Sequence, residues 1–241
     1  LVLSQTPFYA ESGGQVGDTG WLINADGARI SIFDVKKENN LIVHLCETLP
    51  ENIEDQFTAK INQERRDKIK KNHSATHLLH HALRSVLGNH VEQKGSLVSP
   101  DYLRFDFSHF SKVSDEEMNQ ITVLIEEQIA ANHPLIEKRD TPIAEAQALG
   151  AMALFGEKYG DLVRVIQFGD SIELCGGTHA KSSGQLGVVK LLGESSIGAG
   201  VRRIEALVGN DAYRFLAREY TVKQCKNFFL IKQNFDSDKI S

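Results

Sequence analysis

Cysteine is scarce in this 241-residue chain: three residues, at positions 46, 175 and 225, cannot all pair without leaving one over. A disulfide framework is therefore excluded, and a reducing, cytoplasmic setting is expected. No apolar run reaches the length of a membrane span, and no signal-like opening appears, so neither secretion nor membrane insertion is expected. Internal repeats and low-complexity tracts are lacking as well. The net charge of −5 argues against a broad, non-specific polyanion surface. It leaves room for a local basic patch at Arg65, Arg66, Lys68, Lys70 and Lys71, which reads equally well as a solvated helix face. An initiator Met is missing, and Leu1 opens directly into apolar residues; an excised piece of a longer polypeptide is the expectation.

What is present is the composition of a folded domain, with 41% hydrophobic and 24% charged residues. Residues 1–60 read as β and suggest a small β-barrel-like domain. Gly13, Gly14, Gly17 and Gly20 punctuate the start, Asn24-Ala25-Asp26-Gly27 forms a hairpin signal, and residues 29–35 alternate in character. From about Asp55 to Leu87 the apolar spacing turns helical, with Gly88 as its stop. Ser114 with Glu117 is a capping-box signature for a helix ended by Pro134, and Thr141-Pro142 starts a short helix ending at Gly150. Strands are predicted over residues 103–107, 163–168, 171–174, 187–192 and 201–208, which makes the class α+β. The expected division is 1–60, then an α+β domain over 61–210. A helical segment over 211–241, capped at Asn210 or Asp211, would lead into further domains.

His73 and His77 lie four apart on the predicted helix, about 40° around its axis and about 6 Å along it, so both imidazoles can reach one cation. Cys175-Gly176-Gly177-Thr178-His179 supplies a second pair at the same spacing. Separately, a helical His pair reads as a surface feature and a Cys-Gly-Gly run as a tight turn. Jointly they form an N₃S set suited to Zn²⁺ rather than to oxygen-seeking Mg²⁺ or Ca²⁺. His80, His81, His90, His109 and His133 show no comparable partner. No Glu follows His73, which disfavours the helical His-Glu protease chemistry.

With these motifs the chain resembles the editing region of alanyl-tRNA synthetases and the related free-standing AlaX deacylases. The resemblance is carried by Thr6–Gln15, by His73–His77 with Leu78-Leu79-His80, by Gln93-Lys94-Gly95-Ser96-Leu97, by Arg104-Phe105-Asp106-Phe107 and by Cys175–His179. It implies hydrolysis of the ester joining serine or glycine to the 3′ end of an alanine tRNA, within a larger ligase. ATP chemistry would reside upstream, because no glycine-rich loop here ends in Lys-Ser/Thr. It further implies that Gln93 lies near the zinc, positioning substrate or water. Thr6 is a candidate for sensing the serine hydroxyl, and Gly13 and Gly14 for close approach to the substrate. Arg202 and Arg203 are candidates for tRNA contact. Four protein ligands suit a closed structural zinc, whereas a catalytic zinc keeps a position open; the spacing is compatible with both. Two alternatives stand beside this reading, a threonyl-tRNA synthetase-like editing domain and a zinc-stabilised tRNA-binding module without hydrolysis.

Overall fold

The structure is a computed structural model and describes residues 1–53, 55–153 and 159–222. Its first sheet contains β1 (Gly20–Ile23), β2 (Arg29–Glu38), β3 (Leu41–Cys46) and β4 (Thr58–Ile61), all antiparallel in the order β3-β2-β1-β4. The expected turn at Asn24–Gly27 joins β1 to β2: Gly27 takes φ 83°, and the Asn24 Oδ1 accepts from the Ala28 amide at 2.8 Å. A second hairpin turns on Asn39 and Asn40, both at positive φ, the conformation that matches strand twist in a two-residue turn. Ile30 and Ile32 face inward by alternation; a register shift between Ile32 and Asp34 then brings Val35 inward and leaves Phe33 exposed. These residues pack with Phe8 and Leu22 in a small core.

The sheet is open. Among the described residues β3 and β4 form no ladder with each other, and β1 and β4 have four residues each, too few to wrap round and close a barrel. Instead the N-terminus lies along β3, where Val2 bridges Val43 and the His44 amide donates to the Leu1 carbonyl at 2.7 Å. That contact covers an edge that would otherwise offer unpaired groups.

Helix α1 (Gln63–Leu87) starts later than the sequence predicts, because residues 58–61 pair with β1 as β4. Asn62 caps it, its Oδ1 accepting from the Arg65 amide at 3.1 Å, and Gly88 at φ 111° ends it. Residues 72–80 of this helix are all buried, polar and apolar alike. Its apolar side chains Ala75, Leu78, Leu79, Ala82 and Leu83 join the main core with Phe105, Phe107, Ile121, Ile125 and Phe168.

Around α1 stand a sheet of β5 (Gln93–Val98), β6 (Leu103–Ser108), β10 (Val189–Gly198) and β11 (Val201–Val208), ordered β10-β11-β6-β5, and a sheet of β7 (Ile136–Pro142), β8 (Leu162–Phe168) and β9 (Ser171–Leu174), ordered β7-β8-β9. Helix α2 (Asp115–Ala130) opens on the predicted capping box, the Glu117 amide donating to Ser114 Oγ at 3.2 Å and the Ser114 amide to Glu117 Oε2 at 2.7 Å. Helix α3 (Ile143–Ala148) is the short helix after Pro142. With helices packed on antiparallel sheets, the class is α+β. Strands β5 and β7 were not expected, and β10 runs on to Gly198, past the end predicted at residue 192, to form a hairpin with β11. The C-terminal helix covers residues 210–222; the rest of the helical segment predicted over 211–241 lies outside the described residues.

The loop before the first sheet is tied to α1 through Asp18, 1% exposed, which accepts from Arg66 through both carboxylate oxygens and from the Tyr9 amide at 2.6 Å. Asp18→Ala leaves the guanidinium of Arg66 uncompensated in a mostly buried position. We expect a loss of about 3 kcal/mol in unfolding free energy, measured by denaturant titration; a loss under about 1 kcal/mol would show that this tie is dispensable.

Candidate metal centre

His73 and His77 sit in the enclosed middle of α1, and Cys175 follows β9 directly and opens the loop that carries His179. The fold brings all four together: one ligand atom from each lies within 4.8 Å of every other. Cys175 Sγ is 3.4 Å from His73 Nε2 and 3.3 Å from His179 Nε2. The three rings meet with centroids 5.3 Å apart for His73–His77 and 4.5 Å for each of the other pairs. Burial holds His73 and His179 well below the ordinary histidine range, and the neighbouring imidazoles and Arg164 push the same way. Burial also lowers His77, against the opposing effect of Glu173. Neutral imidazoles with free lone pairs are what a cation requires. His77 Nδ1 is buried without a hydrogen-bond partner in the protein, which leaves its lone pair to a cation. The donor set therefore fits a metal ion, and soft N₃S chemistry fits zinc best among common ions.

The surrounding side chains fix this arrangement, and the motifs alone did not single them out. Gln15, fully buried, accepts at Oε1 from His73 Nδ1 at 2.7 Å. Ser74 Oγ lies 3.2 Å from His179 Nδ1 and accepts from the Ala180 amide at 3.0 Å. Glu173 faces His77 Nε2 at 3.5 Å and His80 Nδ1 at 3.0 Å. Burial raises its carboxyl, and the two facing histidines more than reverse that, holding it below the usual carboxylate range. Arg164 donates from Nη1 to the carbonyls of Cys175 at 3.0 Å and Gly177 at 2.6 Å, and from Nε to Glu137 at 2.9 Å. The Gly177 amide donates to Cys175 Sγ at 3.3 Å, which favours the thiolate. Arg164 and Glu173 occupy strand positions whose spacing carries no metal signal; only their placement on β8 and β9 reveals the role.

On one side the centre opens into a cavity of about 140 Å³ lined by Tyr9, Ser12, Gly13, Gln93 and Ser96 together with His73, His77 and Cys175. Gln93 and Gly13 thus line this cavity, whereas Gly14 is not among its lining residues. Gly14, at φ 80°, packs so closely on Ser96 that a Cβ would lie 2.1 Å from its Oγ. Thr6 does not line the cavity: its hydroxyl lies 2.7 Å from His44 Nε2 and accepts from the Phe8 amide at 3.1 Å. Arg202 and Arg203 stand on β11, paired within the chain, Arg202 with Glu194 and Arg203 with Asp106 at 2.6 and 2.8 Å. On another side His179 borders a groove of about 660 Å³ that also holds Lys70, Lys71 and Lys181.

At Gly177 a side chain would collide with one of the four clustered residues. A Cβ there would stand 2.0 Å from His73 Cε1 and 2.3 Å from its Nδ1. Gly177→Ala should therefore displace the imidazole and abolish stoichiometric metal uptake while the chain stays folded. Metal content beside circular dichroism checks this, and full uptake by the variant would show that His73 is not held as described.

Comparison with known proteins agrees with these motifs. The family described as the threonyl and alanyl tRNA synthetase second additional domain matches residues 163–205, and the class II (A) tRNA synthetases match residues 1–65. The alanine–tRNA ligase of Parabacteroides distasonis is 63% identical over 216 residues, 90% of this chain and 25% of that protein. Those of Porphyromonas gingivalis and Flavobacterium psychrophilum are 61% and 55% identical, over 90% and 94% of the chain and 25% and 26% of theirs. The chain thus spans about a quarter of the length of these relatives. Sequence identity over nearly its whole length, with the additional domain over the Cys/His loop, places the chain in the alanine–tRNA ligase family, in the stretch that corresponds to the editing region.

Proposed function

We propose that this chain is the editing deacylase of an alanine–tRNA ligase and hydrolyses the ester of alanine tRNA mischarged with serine or glycine, using one Zn²⁺ held by His73, His77, Cys175 and His179. The observation that carries this reading is the convergence of those four side chains beside a cavity of about 140 Å³ that Gln93 also lines. The need is physical: alanine and glycine differ by one methyl, and an aminoacylation pocket rejects a compact hydroxymethyl poorly, so a second, hydrolytic site removes the errors.

Ester hydrolysis asks for a positioned water and for stabilisation of the developing oxyanion. A bound Zn²⁺ supplies positive charge that polarises a carbonyl or acidifies water. The Gln93 amide, facing the same cavity, hydrogen-bonds the misattached amino acid or the water, and Gly13 lets the backbone approach the substrate closely. The bonds of Thr6 to His44 and Phe8 support a role in the N-terminal sheet rather than hydroxyl sensing. With Arg202 and Arg203 already paired, phosphate contacts fall instead to Lys70, Lys71 and Lys181 in the groove beside His179. The reading divides the chain near residues 60 and 210 and places the enzyme in the cytoplasm. It assigns ATP-dependent aminoacylation to other parts of the ligase. Among the described residues no helix is long and apolar enough to cross a membrane.

A second reading has one observation in its favour. Four protein ligands make a closed sphere, as in structural sites, which suits a zinc-stabilised tRNA-binding module. Deacylation assays on seryl, glycyl and alanyl esters of alanine tRNA separate the two. We expect hydrolysis of the first two and sparing of the third, weak at low substrate and rescued at saturation. Gln93→Ala should lower the rate at least tenfold with melting temperature and zinc unchanged. Hydrolysis of no ester by zinc-loaded protein at saturating substrate would leave only the binding module.

A further inference from the structure

Among the residues around the centre, Gln15 has an unusual position. It comes from the segment preceding the first sheet, yet its side chain is fully buried against α1 and the Cys/His loop. It is anchored by its own backbone: the Gln15 amide donates to the Ser12 carbonyl at 3.0 Å, and residue 15 bridges Val98 at the end of β5. From there Oε1 receives three donors, His73 Nδ1 at 2.7 Å, the Thr178 amide at 2.9 Å and the Thr178 hydroxyl at 3.2 Å.

The orientation of the amide follows from chemistry. A backbone N–H can only donate, so the group 2.9 Å from the Thr178 amide is the carbonyl oxygen and not the NH₂. That oxygen can only accept, so His73 must carry its proton on Nδ1. Its Nε2 is then left as the lone pair, and Nε2 is the atom that lies 3.4 Å from Cys175 Sγ. One oxygen thereby sets the tautomer of a ligand on α1 and the position of the residue next to a ligand in the loop. The fit is tight: a Cβ on Gly177 would come within 3.0 Å of that same oxygen.

We propose that Gln15 is the positioning residue of the metal centre: by accepting from His73 Nδ1 and from Thr178 it presents His73 Nε2 to the ion and holds the His179 loop against α1. The N-terminal segment is then part of the metal site, although none of its residues is a ligand. This rests on the metal reading above but not on deacylation.

The test uses the 241-residue chain, with zinc retention measured by chelator competition and the ligand field read from the visible spectrum after cobalt substitution. Gln15→Leu keeps roughly the bulk and removes the acceptor; zinc should be held about 10–100-fold more weakly, with an altered cobalt spectrum. Gln15→Glu keeps the acceptor, in the carboxylate–histidine–metal arrangement common in zinc sites, and should restore both readouts to within a few-fold. Failure of Gln15→Glu to rescue, or unchanged zinc retention and cobalt spectrum in Gln15→Leu, would overturn the proposal. Should Gln15→Leu not fold, nitrogen NMR of His73 in the zinc-loaded unsubstituted protein decides: the proton is expected on Nδ1, and a proton on Nε2 would refute it. Absence of zinc from the unsubstituted chain would instead sink the metal reading itself.

Discussion

Residues 72–80 of α1 are all buried, and six of the nine have polar side chains that must be satisfied without water: Asn72, His73, Ser74, Thr76, His77 and His80. An unpaired buried polar group costs about 1–3 kcal/mol, so this stretch would be untenable if its partners were not supplied from elsewhere in the chain. Much of the fold reads as that supply. Asn72 donates to the Ser99 carbonyl at 2.7 Å, Thr76 to the carbonyl one turn back at 2.9 Å, and Ser74 meets His179 and the Ala180 amide. Gln15 answers His73, and Glu173 answers His80.

Beside these bonded groups lie the converging Nε2 atoms of His73 and His179, the Cys175 sulfur and the unpartnered Nδ1 of His77; Gln15 Nε2 and His80 Nε2 are unpartnered as well. Placing four electron-rich groups together in a buried pocket is unfavourable unless a cation joins them. Such an ion would tie α1 to the loop after β9, two elements about a hundred residues apart in sequence. Arg164 prepares the loop for this by holding its carbonyls, while its charge also disfavours protonation of the three imidazoles. Positioning and electrostatics therefore act in one direction, keeping the ligands neutral and in place.

The clustering of His73, His77, Cys175 and His179 was legible in the sequence because a helix repeats every 3.6 residues and the Cys/His loop repeats the same four-residue spacing. The hairpin at Asn24–Gly27, the Ser114 capping box and the Gly88 stop were legible for the same reason, since each depends on local stereochemistry. Elements decided by tertiary pairing were not. Strand β5 carries Gln93-Lys94-Gly95-Ser96, without the β-branched pattern of a strand, and exists because it pairs with β6. Strand β7 is charged at Glu137, Lys138 and Arg139, as befits an edge. The barrel expected from the glycines is an open sheet, since glycine spacing marks turns and says nothing of how the outermost strands meet. Arg202 and Arg203, candidates for tRNA contact in the sequence, pair on β11 with Glu194 and Asp106, which their positions in the sequence did not reveal.

The central claim is that the buried cluster is a metal centre, and native mass spectrometry of the unsubstituted chain against Cys175→Ala tests it most directly. One zinc per chain is predicted for the former and a clear loss for the latter, with both folded. A chain that remains folded, takes up no zinc from buffer and melts at the same temperature with or without a chelator would contradict the account.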